Sequence, residues 1–259
     1  MISFRAGSII PLALCLVGIV AGIACLAKAQ SPAPSTDPAD APAILKKALL
    51  QLSDRDPAVR DAAREQLMGM SPTDLPVLRT DVEQAGPLPP GSVQALREVV
   101  THVYLAGENG DRDTAKGFMG ISMVDDLQSA YSDDDQNDSG LPLGVVVQMR
   151  LPGFDAYRAL RDGDIILAIA IDGTEAIRVH STQKIIAIIS TLAPGQRVRL
   201  EVIRNGRHIG TTLTLNPKPP ELDGNQPGIS PDDYRQAQED KAHAFWLARF
   251  APVVDPSIS

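Results

Sequence analysis

Apolar residues follow two different periods along the chain. From Ala43 onward Ile44, Leu45, Ala48, Leu49 and Leu52 recur every three or four positions, the spacing of a helix with one buried face. Val59, Ala62, Ala63 and Leu67 form a second stripe, opened by Asp56 and by Pro57 in a first helical turn. Ser71 and Pro72 restart the pattern in "SPTDLPVLRTDVEQA", and "PPGSVQALREVVTHVYLA" supplies a fourth apolar helix. Residues 43–107 are therefore expected to form a small helical unit, in which His102 is a packed or surface residue rather than a ligand.

After "GENGDRDTAK" the period becomes that of strands. "GFMGISMV", "GVVVQM", "DIILAIAI", "RVRLEVIR" and "HIGTTLTL" are five β-rich runs separated by turn residues, and "DAYRAL" and "STQKIIAIISTL" are helices between them. In "LRDGDIILAIAIDG" each end pairs a glycine with an aspartate, which makes both ends turns around a buried strand. Ile165, Ile166, Leu167 and Ile169 are its core candidates, and Asp162, Asp164 and Asp172 are turn residues rather than catalytic carboxylates. This order predicts an α+β fold: a small, partly open barrel or sandwich capped by two helices. "NPKPPELDGNQPG" interrupts the pattern, so residues 219–229 are expected to be a linker. Ser230, Pro231 and the acidic residues after them open a C-terminal helix over residues 230–251.

At the other end, Arg5 precedes an apolar stretch from Ile9 to Leu26, followed by "AKAQ", whose small residues suit a signal peptidase. Residues 1–29 are expected to be a cleaved secretory signal, and the protein exported to the periplasm or cell envelope. An uncleaved membrane anchor and a lipid-modified Cys25 are the alternatives. Residues 30–42, rich in Pro, Ala, Ser and Asp, read as a disordered linker.

Both cysteines, Cys15 and Cys25, lie in the signal segment, so the processed chain has no disulfide and no cysteine nucleophile or zinc ligand. Removing Arg5 and Lys28 from the 24 basic residues, against 32 acidic ones, leaves a net charge of about −10. Phosphates and anionic membrane surfaces repel such a chain, so nucleic acid is not expected as a partner.

Residues 116–218 resemble a PDZ domain, in particular the kind attached to bacterial periplasmic trypsin-like serine proteases. Met119-Gly120-Ile121, after Phe118, matches the family's apolar-Gly-apolar carboxylate-binding loop. "GVVVQMRLPGFDAYRALRDGDIILAIAIDG" matches its strand, Pro-Gly turn, short helix, Gly-Asp turn and strand. "STQKIIAIISTLAPGQRVRLEVIRNG" matches its long helix and the strand that follows. Ala159 stands where the family usually has Gly, "LAIAIDG" is one residue longer than the common form, and the acidic loop after residue 125 is long. The PDZ-like domain is placed at residues 114–218. "DPAVRDAAREQL" resembles half of a HEAT-type repeat, although the helical segments are too few for a solenoid.

The resemblance implies recognition by β-augmentation, in which a peptide adds a strand to an open sheet edge. Met119, Gly120 and Ile121 would donate amides to a terminal carboxylate, with Ser122 and Met123 continuing the edge. Gln183, Ile186, Ala187 and Ser190 would line the groove from the long helix, while Ile185, Ile189 and Leu192 face the core. Phe118, Met119, Ile121 and Ile186 imply a partner with a hydrophobic C-terminus. A larger residue at Gly120 is expected to disturb the loop and leave most of the barrel's buried area intact.

Catalysis is not expected. Asn137 to Gly140, "NDSG", lacks the glycines of a trypsin-like serine site, and His102, His180, His208 and His243 are scattered over different segments. Within these residues no trypsin-like domain precedes the PDZ-like region. "DDDQND", Asp133 to Asp138, lacks the spacing and distal Glu of a calcium loop and reads as solvated. No cofactor or metal is expected. The favoured function is a non-enzymatic adaptor binding C-terminal or extended peptides. The alternatives are a subunit presenting substrates to a separate protease, and a structural protein with an inactive PDZ fold.

Overall fold

The computed structural model describes residues 41–110, 116–125, 144–222 and 229–255. The signal segment, most of the Pro-rich linker and the acidic loop, with "DDDQND" and "NDSG", lie outside them. Among the described residues no helix is long and apolar enough to cross a membrane.

The fold is α+β. Helices α1 (Ala41–Gln51), α2 (Pro57–Met68), α3 (Leu75–Ala85) and α4 (Pro90–Gly110) come first. The caps follow the sequence signals: Asp56 accepts the Ala58 amide at 2.9 Å, and Ser71 accepts the Thr73 amide at the head of a short 3₁₀ turn before α3. Leu49, Leu67, Leu78, Leu96 and Val99 are fully or almost fully buried between these helices.

That core is not closed by the four helices alone. The C-terminal α7 (Pro231–Arg249) and the short α8 (Ala251–Val254) return to it, burying Trp246, Phe250 and Ala251 against the same cluster. Tyr104 stacks on Phe245 with ring centroids 4.3 Å apart, and the Arg79 side chain donates to the Arg249 carbonyl at 2.8 Å. The C-terminal helix is thus part of the helical layer. Its apolar end is the missing wall of the first core.

The sheet domain lies between. Its strands are β1 (Gly117–Phe118), β2 (Ile121–Asp125), β3 (Val145–Arg150), β4 (Ile165–Ile171), β5 (Ile177–Arg178), β6 (Arg197–Arg204), β7 (Arg207–Thr214) and β8 (Asn216–Pro217). All pairings are antiparallel. β2-β3-β4-β6-β7 run in that order, β5 adds to β4, and β1 pairs with β8 in a separate two-stranded sheet. α5 (Asp155–Ala159) and α6 (Thr182–Ile189) cap this barrel around Val145, Ile166, Ile169, Ile185, Val198 and Leu200.

The run "GFMGISMV" is two strands because Gly120 takes a φ of +73°, a left-handed conformation that ends β1 and re-aims the chain into β2. On β4 the register with β6 shifts between Ile166 and Ala168. Leu167, left over by that shift, accepts the Val179 amide at 3.0 Å.

Asp164 is 1% exposed and pairs with Arg204 through two contacts of 2.7 and 2.9 Å, while also accepting the Arg161 amide at 2.8 Å. Arg150 is held by Asp162 at 2.7 Å and lies over the Tyr157 ring. These aspartates are fastenings of the barrel.

The helical layer grips the sheet domain at Pro152-Gly153. Buried His102 of α4 accepts the Gly153 amide on Nδ1 at 3.1 Å and stacks on Tyr157, and buried Asn109 donates to the Gly153 carbonyl at 3.2 Å. Burial pushes the His102 pKa down to about 4, with Asp155 opposing and Arg158, Arg150 and Arg64 assisting. The folded protein therefore refuses a proton that the unfolded chain takes near pH 6.5. This contribution is intact above that pH and lost as the pH falls toward 4. Urea unfolding at pH 7 and pH 5 should show a loss of about 2 kcal/mol from this group. His102→Gln, which cannot titrate there, should remove that part of the pH dependence. An unchanged pH dependence in the variant would assign it to other groups.

Candidate functional site

β2 is the outer strand of its sheet, and its free edge faces α6. The edge geometry follows from register. Ile121 lies opposite Arg150, and the Leu151 amide donates to the Gly120 carbonyl at 2.8 Å, which makes Ile121–Arg150 a non-hydrogen-bonded pair. The Ile121 amide and carbonyl therefore point away from β3, into the gap beside α6. A register shift after Ser122 sets Met123 opposite Val147 and leaves Gln148 as the extra residue of a bulge.

The loop before β2 presents further donors. Met119 and Gly120 are buried, yet their amides donate to no described group. Buried backbone amides are almost always paired, so this loop has the donor surplus of an anion seat.

α6 forms the opposite wall. Ser181 caps it, and the Asp125 carboxylate accepts the Thr182 amide at 2.7 Å, fixing the start of the helix to the end of β2. Between the two walls lies a cavity of about 530 Å³. Met119, Ile121, Met123, Ile185, Ile186 and Ile189 make its floor and α6 side, and Ile186 is 58% exposed. Thr182 and Ser190 mark its two ends on the helix.

Of the residues expected at the groove, Phe118, Met119, Ile121, Ser122, Met123, Ile186 and Ser190 line this cavity. Gly120 shapes the loop without lining the cavity. Gln183 and Ala187 are exposed but do not line it, which corrects their placement. The helix side of the cavity is Thr182, Ile185, Ile186, Ile189 and Ser190, of which Ile185 and Ile189 are also residues that the barrel core draws inward. Ile185 and Ile189 therefore serve both core and groove.

The surroundings of Gly120 correct a second expectation. A Cβ there would lie 2.3 Å from Phe154 Cβ, and Phe154 is fully buried. A larger residue at Gly120 would strike the packing behind the loop as well as the loop.

Other lining residues were not expected: Met149 and Leu151 from β3 and the turn after it, and Leu222 and Ile229 from beyond the barrel. Lys116, Lys218 and Glu221 also line it. The alternation of Met149 and Leu151 about Arg150 was a usable signal. Leu222 and Ile229 are isolated apolar residues in a Pro- and Gly-rich stretch, which has no period to read. Among the described residues no group of three or more His, Cys, Asp or Glu side chains is placed to hold a metal ion.

No protein-family profile matches the chain, and no curated protein sequence matches it. Among solved structures it is similar to the HtrA-type protease AlgW with a decapeptide, at 22% identity and a TM-score of 0.32, covering 50% of this chain and 35% of that one. It is similar to the serine endoprotease from Yersinia pestis, at 20% identity and a TM-score of 0.28, covering 40% of this chain and 30% of that one. It is also similar to the PDZ domain of a carboxy-terminal protease from Vibrio cholerae in complex with peptide, at 16% identity and a TM-score of 0.27, covering 39% of this chain and 92% of that domain. The chain spans about a third of the length of the HtrA-type protease it matches.

Proposed function

We propose that the protein is an exported, non-enzymatic adaptor that binds the free C-terminus of a partner protein by adding it as a strand to β2. The observation that carries this reading is the meeting of three features at one place. The Ile121 edge faces outward, the Met119 and Gly120 amides donate to no described group, and an apolar cavity opens beside both. An extended chain supplies the backbone partners for the edge, its carboxylate answers the loop amides, and its last side chain fills the space against Ile185, Ile186 and Ile189. A hydrophobic terminal residue suits those walls.

Titrating the purified protein with C-terminal peptides ending in valine, each as free acid and as amide, tests this. Charge-assisted hydrogen bonds are worth about 1.5–3 kcal/mol each, so amidation should weaken binding at least about tenfold. Ile186→Asp, which sets a charge beside the terminal side chain, should weaken the acid as well. Equal affinity of acid and amide would show that the groove does not read C-termini.

A further inference from the structure

The cavity extends past what one terminal side chain needs. It is lined from two separate hydrophobic clusters: Met119, Ile121 and Met123 belong with the barrel core, whereas Phe118, Met149 and Leu222 pack around buried Leu151, Phe154 and Tyr234. The division follows the two faces of β2. Ile121 and Met123 turn toward Ile185 and Ile189, while Ser122 lies opposite Met149 and its hydroxyl reaches Gln148 at 3.4 Å.

Resting on the reading above, we propose that the second part of the cavity is a subsite for the penultimate side chain of the bound C-terminus. It is built from Ser122 and Met149 of the sheet and from Leu222 and Ile229 outside it. Side chains along an extended strand alternate between two faces. A peptide on β2 that sends its last side chain toward α6 sends the one before it to the opposite face, where Ser122 lies opposite Met149, Leu222 packs in the cluster of Met149, and Ile229 lines the same cavity. Ile229 is 48% exposed, a large apolar side chain left open at the cavity rim. The chemistry of this wall selects a large apolar residue such as Leu, Met or Phe. The ligand is thus a free C-terminus ending in two apolar residues, and the segment after the barrel supplies part of the selectivity.

Three pooled synthetic octapeptide libraries, each with six randomised positions, test this on the purified protein. They end in Leu-Val acid, Ser-Val acid and Leu-Val amide. Leu-Val acid should bind about tenfold tighter than Ser-Val acid, the effect of burying one leucine side chain. Ile229→Ser should reduce that preference to below about threefold while the acid-over-amide ratio stays as in the wild type. Leu222→Ser should do the same, and Ile229→Ser keeps the test open should the packed Leu222 be needed for folding. Equal affinity for Leu-Val and Ser-Val acids, with the amide still weaker, overturns the subsite and leaves the carboxylate reading standing. An unchanged preference in both variants removes Leu222 and Ile229 from the subsite and overturns its assignment to that segment. Equal binding of acid and amide, or no binding by any library, overturns both readings.

Discussion

Gly120→Val should cost the protein about 3–5 kcal/mol of stability, the sum of left-handed backbone strain and overpacking. The valine would occupy a φ of +73° that β-branched residues avoid, and its Cβ would fall 2.3 Å from Phe154 Cβ and 2.4 Å from the first ring carbon. Phe154 cannot retreat easily, since it is fully buried beside Leu151 and Tyr234 and meets Phe118 edge to face. Thermal unfolding should drop by on the order of 10 °C. Gly163→Val is the control: its φ is +88°, but nothing lies within 4 Å of the added Cβ, so it carries backbone strain without the clash. Equal losses in the two variants would mean that the Phe154 packing yields freely.

Asp164→Ala should destabilise the barrel by about 2 kcal/mol, because it removes the partner of a part-buried guanidinium and the acceptor of a backbone amide. The Asp164 carboxylate is 1% exposed and takes both the Nε and an Nη of Arg204, in a fork that also touches the Ala159 carbonyl. With the carboxylate gone, Arg204 stays tethered near an apolar core without a counter-charge, and the Arg161 amide loses its acceptor. The double variant Asp164→Ala, Arg204→Met removes both charges and should recover part of the loss. Urea unfolding of the single and double variants checks this. With Arg204→Met alone as the third variant, a double variant as unstable as the sum of the two single ones would show that Asp164 and Arg204 contribute independently, with no coupling between their charges.

These residues also show how far the sequence could be read. "DIILAIAI" was recognisable as a central strand because it is apolar on both faces, and the structure buries Ile166 through Ala170. The turn glycines were recognisable because positive φ is a local property. The glycine loop could likewise be seen from Met119-Gly120-Ile121, but Phe154 behind Gly120 is 34 positions away and no local pattern connects them. The groove face of α6 was legible in part: Ile186 and Ser190 line the cavity and Ile185 and Ile189 face the core as the period suggests, but only the docked barrel decides that Ile185 and Ile189 border the cavity as well, while Gln183 and Ala187 do not. Trp246 and Phe250 were plainly apolar, yet nothing near them in the chain says that they complete the core of α1 to α4. β1, β5 and β8, at two residues each, are too short to leave any period at all.

The completion of the helical core from both flanks of the sheet domain has a kinetic meaning. Arg79 and the Arg249 carbonyl it holds are separated by 170 positions. At equilibrium this separation is cheap, because the entropy of closing a loop grows only as the logarithm of its length, about 0.6 kcal/mol per doubling. The burden falls on the order of events. During synthesis the first four helices emerge with the surface meant for Trp246 and Phe250 still bare, and they stay so while every strand is made. Only the last turns of α7 cover it. The domain built first is thus the one finished last, and until then its exposed apolar face is open to misassociation, as in any fold whose closing contacts are remote in sequence.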